Sequence, residues 1–327
     1  MSGTENQKTV IVQKTDITYI LIAVCTCLRP KMLKNALLSV NIAALPENIK
    51  TEVLVIDNDK EESAKVVVDE LRESLKYQIH YFVEGNRGIS NARNRALVES
   101  VKLGASHILF FDDDELLTQN VILEHIKMYK NTPDAHIISG PTISKFEDYY
   151  PTYIRKHMLF KQNTTKKTGL ERDRCASGNV FFPVSITENY GLKFDSQYIY
   201  MGGEDGDFFN RAVKLGFKIV WCNEAIIEEV VPPARANIPY ILKKCYYNGF
   251  AGTQEKFKNN KNITQKFLYL IKTLFVLLTN LLILLPSFLF GFTGFFNTLG
   301  RATRTYGKLC ATITTKSCDF YRKIYGE

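Results

Sequence analysis

The chain has 327 residues, enough for one large domain or two small ones. Its 42 Lys and Arg against 34 Asp and Glu give a formal charge of +8, with the excess largely in the C-terminal third; this suits anionic lipid or phosphate-bearing partners and makes no case for nucleic acid. Seven scattered cysteines without a Cys-x-x-Cys pair argue against a zinc site or a disulfide framework and fit reduced thiols in the cytosol.

Residues 1–16 are polar and lack the apolar core of a signal peptide, so a partly disordered tail is expected. Tyr19 to Cys25 is an apolar run of strand length, followed by Thr26-Cys27-Leu28-Arg29-Pro30 and a helical pattern from Lys31 to Ala44. Pro30 suits a first helical position. Thr51 to Ile56 predicts a second strand, closed by Asp57-Asn58-Asp59, with helical spacing resuming through Leu75. Gln78 to Val83 predicts a third strand, Glu84 to Gly88 a turn, and Ser90 to Leu103 a helix. Ile108 to Phe111 is a fourth apolar run, ended by Asp112-Asp113-Asp114-Glu115, with a helix expected from about Thr118. Strands alternating with helices imply a parallel sheet with crossover helices.

Arg29, Asp57, Asn86 with Arg87, and Asp112 with Asp114 each follow a different strand. In a parallel sheet those ends share one edge, where ligands bind. The edge therefore collects a carboxylate to read a base or ribose, basic groups for phosphate, and acids for a cation. Two like charges ~4 Å apart repel by roughly 4 kcal/mol at an effective dielectric of ~20, so clustered acids call for Mg²⁺ or Mn²⁺, or else form a solvated helix-capping turn. The first turn has no glycine, which excludes a G-x-G-x-x-G dinucleotide loop, and no P-loop is present.

Five segments in order carry a resemblance: Thr26-Cys27-Leu28-Arg29-Pro30; Val55-Ile56-Asp57-Asn58; Asn86 to Asn94 as N-x-G-x-x-x-A-R-N; Phe110 to Asp114; and Gly202-Gly203-Glu204-Asp205. Together, from about Thr18 to Arg235, the chain resembles an inverting family 2 glycosyltransferase of bacterial cell-surface glycan type. The resemblance implies a GT-A fold over residues 17–260, a mostly parallel α/β sheet flanked by helices. It implies transfer of a sugar from a nucleotide-diphosphate donor, UDP-sugar favoured, to a hydroxyl of a glycan or lipid-linked acceptor.

The resemblance also implies residue roles. Thr26, Arg29, Asp57, Asn86, Gly88, Arg93, Asp112 and Asp113 would hold the nucleotide sugar, with Asp57 accepting from the base. Asp112 and Asp114, pointing the same way from an extended chain, would hold Mn²⁺ or Mg²⁺ while Asp113 points elsewhere. Arg93 pairs with the donor diphosphate, with Asp112, or in a helix-surface bridge of little value. Asp205 would be the general base and Glu204 would orient it or the acceptor; alternatively both simply favour a helix N-terminus. Gly178, Asn179 and Gly203 would line the acceptor side. Relatives place a metal-binding His after the last strand, but this chain has no His beyond His157. Glu229, or else Glu228, is the expected replacement, and Arg235 would hold a phosphate or a loop carboxylate.

Phe146 to Asp173 reads as irregular, and Lys161, Lys166, Lys167, Arg172 and Arg174 make its region basic, suited to phosphate or membrane. Arg174 to Phe182 predicts a strand with a close glycine approach, and Lys218 to Cys222 another strand. The apolar segment 261–300 contains an uncharged stretch from Thr273 to Phe296, long enough to span a bilayer, or to form two short helices hinged at Pro286 that dip into one leaflet. Basic residues on both sides give no orientation. Attachment to the cytoplasmic face of the inner or plasma membrane through 267–299 is expected, with a homodimer interface as a further possibility and 301–327 as a basic tail. Two other classes fit the fold: a sugar-nucleotide-binding scaffold without turnover, and a nucleotidyltransferase.

Overall fold

The computed structural model describes residues 12–160, 166–200, 202–258 and 262–314. Lys161, Lys261, Cys318 and the far ends of both expected tails lie outside them. The N-terminal half alternates β1 (Tyr19–Thr26), α1 (Pro30–Ile42), β2 (Lys50–Asp57), α2 (Lys65–Leu71), β3 (Ile79–Val83), α3 (Ile89–Lys102) and β4 (His107–Asp112). There follow β5 (Glu115–Leu117), α4 (Val121–Asn131), β6 (Ile137–Ser139), β7 (Thr142–Lys145), α5 (Thr152–Arg155), β8 (Glu171–Arg172), β9 (Val180–Pro183) and α6 (Ser185–Glu188). The chain continues with α7 (Glu204–Lys214), β10 (Ile219–Trp221), β11 (Ile227–Val230), α8 (Ile238–Phe257), α9 (Ile263–Leu282) and α10 (Gly291–Ile313).

Eight strands form one sheet in the order β3-β2-β1-β4-β9-β6-β10-β8, and β5-β11-β7 form a second, small sheet. The strands β3, β2, β1 and β4 are parallel, whereas β9 runs antiparallel to both β4 and β6. The apolar runs make sense on this frame. Ile20, Ile22, Val24, Leu109 and Phe111 pack on one face, and Leu21, Ala23, Ile108 and Phe110 on the other. A strand covered on both faces has no polar side to show, so it reads as continuously apolar.

Register brings the strand ends together: Thr26 pairs with Asp57, Asp57 with Val83, and Cys25 with Asp112. Three local expectations change. The helix expected from Thr118 begins at Val121, because Glu115 to Leu117 form β5 against β11. The strand expected over Arg174 to Phe182 shortens to Val180–Pro183. Residues 301–313 continue helix α10 instead of starting a tail. At the other end, Lys14 donates to the carbonyls of Tyr129 and Thr132, docking residues just before the first strand onto α4.

Candidate active site

A cavity of about 360 Å³ opens at the carboxyl ends of β1 and β4 and is lined by seven acids and five Arg or Lys residues. Its floor is the acidic turn after β4. Asp113 accepts from Thr26 Oγ1 at 2.8 Å and faces Arg29 Nη1 at 2.8 Å. Asp114 meets Arg235 Nη1 at 2.5 Å and Arg29 at 3.6 Å, and Arg235 also faces Glu229 at 3.6 Å. Asp112 faces Arg93 Nη2 at 3.1 Å, and the same guanidinium pairs with Glu204. The chain turns at Asp113 and Asp114, so the alternation of an extended strand ends at Asp112. Asp112 and Asp114 consequently engage different arginines, a correction to the expectation that they point the same way with Asp113 turned aside.

Glu115 is the residue the motif reading passed over. It is buried, its Oε2 accepts from the Asp112 N–H at 2.8 Å, and its Oε1 accepts from Thr142 Oγ1 at 3.2 Å. A Cβ on Gly178 would stand 2.6 Å from that Oε1, so the close glycine approach serves Glu115. Glu115 pairs across β5 and β11 with Glu229, which lines the cavity. Glu228 points away, paired with Lys145 at 2.7 Å. Of the two candidates, the structure therefore puts Glu229 at the cavity.

Burial and charge crowding set the acids apart. Burial pushes Asp113 up to about 6 against the pull of Arg29, and pushes Glu204 up to about 7 against Arg93, with Asp205 adding to the rise. Burial and the neighbouring Asp112 raise Glu115 well above the usual carboxylate range. Burial also opposes ionisation of Asp114, yet Arg235 and Arg29 outweigh it and hold this carboxyl below its ordinary value. Cys25 lines the cavity, and burial pushes its thiol up to about 12, which favours the protonated form.

Gly203 adopts φ +97° and begins α7, so that Glu204 and Asp205 occupy its first turn. Both line the cavity; Gly203 itself does not. Two further residues lie elsewhere than expected. Asn179 is 1% exposed, and its amide is spent on His125, Pro141 O and Ala225 O, so it staples β9 to its neighbours and does not line the cavity. The exposed Asn86 contributes its carbonyl, which accepts from Asn58 and Asn91. Asn58 itself, unassigned by the motif reading, accepts from Gly88 N at 2.6 Å and so shapes the turn at the cavity wall.

Asp57 is fully buried behind that wall. Its Oδ2 accepts from Ala64 N at 2.8 Å and Tyr81 OH at 2.9 Å, while Oδ1 meets no hydrogen-bond donor among the described residues. Gly88 has φ +146°, and a Cβ there would collide with Ile199, so the segment around Ile199 and Tyr200 closes directly onto the turn. From the far side, α8 contributes Tyr240 and Lys244. No local signal marks these two residues; only the packing of α8 brings them in. Of the basic segment, Lys166 and Arg172 lie over the Trp221 ring and Arg174 pairs with Glu255.

No group of three or more ready metal ligands occurs among the described residues. The donor set is nonetheless all hard oxygen, with Asp112 the more exposed acid at 42% of its side chain. Mg²⁺ and Mn²⁺ are commonly held by one or two carboxylates and completed by substrate phosphates, and this arrangement fits that mode.

The description "Glycosyl transferase family 2" fits residues 21–191, and "Glycosyl transferase family group 2" fits residues 107–313. The chain is 29% identical to the succinoglycan biosynthesis protein ExoM of Rhizobium meliloti, over 71% of this chain and 73% of that one. It is 26% identical to the dTDP-rhamnosyl transferase RfbF of Shigella flexneri, over 59% of this chain and 62% of the relative. Among solved structures, it is similar to the mannosyltransferase PcManGT of Pyrobaculum calidifontis in complex with GDP-Man and Mn²⁺, with TM-score 0.54 and 17% identity over 76% of this chain and 68% of that one. It also resembles S. aureus TarS, with TM-score 0.51 and 12% identity over 89% and 90% of the two chains. The first family match spans just over half of the chain and includes the strand-end turns and the acidic turn that frame the cavity: the chain belongs to glycosyl transferase family 2 and is a glycosyltransferase with the GT-A fold.

Proposed function

We propose that this glycosyltransferase moves a sugar from a nucleotide-diphosphate donor to a hydroxyl of a cell-envelope glycan or its lipid-linked precursor, with inversion at the anomeric carbon. One observation carries the reading: Arg93 ties the acidic turn, through Asp112, to the helix that presents Asp205. Asp112, Glu204 and Asp205 all line one cavity, which supports the reading.

In this reading Thr26, Arg29 and Asp113 hold the donor beside β1, with Gly88 in the cavity wall next to them. The base rests against the Asp57 and Asn58 turn, where Asp57 Oδ1 has no hydrogen-bond partner among the described residues. Asp112, Asp114 and Glu229 are the residues that would hold a divalent cation. When bound, that ion neutralises charge growing on the departing diphosphate. Asp205 takes the acceptor hydroxyl proton as its oxygen attacks the anomeric carbon from the face opposite the diphosphate. Glu204, fixed by Arg93, keeps Asp205 and the acceptor aligned. General base catalysis of this kind contributes about a hundred- to ten-thousand-fold.

Catalysis is assigned to the cytoplasmic face of the membrane, reached through the apolar segment 267–299. The likeness to the succinoglycan biosynthesis protein ExoM and to PcManGT in complex with GDP-Man supports the biosynthetic role and the nucleotide-sugar donor class. The test is a panel of UDP-, GDP- and dTDP-sugars with Mn²⁺, followed for released nucleoside diphosphate and for binding by thermal shift. Release of nucleoside diphosphate, abolished by Asp205→Asn, is expected. Binding without turnover would favour a scaffold, and release of pyrophosphate a nucleotidyltransferase.

A further inference from the structure

Helix α9 is turned inside out for a protein in water. The residues it buries are Thr273 and Asn280, while Phe267, Leu268, Phe275 and Leu278 are each more than half exposed. Exposure peaks where the chain turns back: Leu282 is 76% exposed, Leu285 75%, Leu289 88% and Phe290 82%. Among the described residues, α9 is the one helix long and apolar enough to cross a bilayer. Two features of the fold argue against a crossing.

The first is where the chain returns. Helix α10 packs along α8, the helix that precedes the apolar segment. The contact is backbone to backbone. A Cβ on Gly249 of α8 would collide with the Arg304 carbonyl, and one on Gly307 of α10 would collide with the Tyr246 carbonyl. Helix α8 also lines the cavity through Tyr240 and Lys244. The elements before and after the apolar segment are therefore locked together on the side of the catalytic domain. A single crossing would place them on opposite sides of a membrane.

The second is the placement of charge. Between Glu255 and Asp319 the sequence has nine Lys or Arg and no acid. Lys272 precedes the end of α9 by ten residues, and Arg301 follows the start of α10 by ten. At ~1.5 Å per helical residue, both stand about 15 Å from the turn. That is roughly half of a ~30 Å hydrocarbon core, the depth of one leaflet. Cations at this level meet headgroups while the tip stays in hydrocarbon, and their uniform sign complements anionic lipid.

We propose that the α9–α10 hairpin enters one leaflet tip first, from the face that carries the catalytic domain, and selects membranes rich in anionic phospholipid. This rests on the membrane attachment proposed above and not on the chemistry at Asp205. The occupant is the lipid surface; a second copy of the chain is the competing cover.

Flotation of the full-length protein with vesicles tests it, using phosphatidylcholine alone or mixed with phosphatidylglycerol. Expected is strong flotation on the anionic vesicles and weak flotation on the neutral ones. Substituting Leu285, Leu289 and Phe290 with Ser, all at exposed positions, should reduce partition by about tenfold per residue. Removing Lys272 by Lys272→Gln should reduce it by about fivefold on anionic vesicles only. Epitope tags at both termini should be digested together from one side of sealed membrane vesicles. Protection of one tag only would show a span and overturn the proposal. So would undiminished flotation of the tip variant, or a lipid-free dimer that dissociates on tip substitution and never floats. Asp205→Asn should float like the unmodified enzyme, so failure of the catalytic reading and failure of this one leave different signatures.

Discussion

Arg235 and Asp114 stand 2.5 Å apart although 121 positions separate them in the chain. Arg235 follows β11 and Asp114 ends the acidic turn, so the ion pair locks the small sheet to the large one at the floor of the cavity. It also occupies a carboxylate that we assign to the cation. Breaking a buried pair by removing one partner leaves a stranded charge and costs about 3 kcal/mol. Arg235→Ala should lower the melting temperature, and Mn²⁺ should restore part of the loss by replacing the missing positive charge. Thermal melts with and without Mn²⁺ check this; an unrecovered loss would remove Asp114 from the cation site.

Asp205 lines the cavity from the first turn of α7, and its side chain accepts only from its neighbour Gly206 among the described residues. Asp205→Asn keeps the shape and loses the basicity. Turnover should fall about a hundredfold or more, with donor binding unchanged by calorimetry. An equal loss in both quantities would place Asp205 in donor binding instead.

Glu204 gives a pH signature. Its folded value, raised to about 7, lies above the ordinary carboxyl value, so the folded state holds the proton more tightly than the unfolded chain. Its contribution to stability is then full below about pH 4.5 and is lost as pH rises through about 7. Urea unfolding at pH 5 and pH 8 should show this decline in the native protein and a flatter profile in Glu204→Gln. Equal slopes in the two proteins would mean that Glu204 is already ionised throughout.

Gly178→Ala should force Glu115 aside, since the new methyl would sit 2.6 Å from Oε1. Overpacking of this kind costs about 1–3 kcal/mol. Because Glu115 holds the Asp112 N–H, the acidic turn should shift and activity should fall further than stability alone explains. A double-mutant cycle with Glu115→Ala, read in both melting temperature and kcat/KM, should be strongly non-additive.

The sheet was readable in the sequence because burial on both faces leaves an unbroken apolar run, as in Ile20 to Val24 and Ile108 to Phe111. The strand-end polar groups followed from the same logic, and most of them line the cavity. Asp57, Asn86 and Asn179 do not line it: Asp57 is buried behind the wall, and an amide beside a turn serves the backbone as readily as a ligand. Glu115 carries no local signal that sets it apart from the other acids of the run, and only cross-strand pairing with β11 shows it as a buried brace.

The sequence by itself determined the order of strands and helices from Tyr19 to Phe111, the parallel half of the sheet and the acidic turn at its edge, because each is written in short-range periodicity and in residue type. Tertiary structure alone decided which arginine meets which aspartate, that Glu229 and not Glu228 faces the cavity, and that α10 returns from the apolar turn to pack along α8. Those outcomes depend on contacts between residues far apart in the chain, and no local pattern encodes a distant partner.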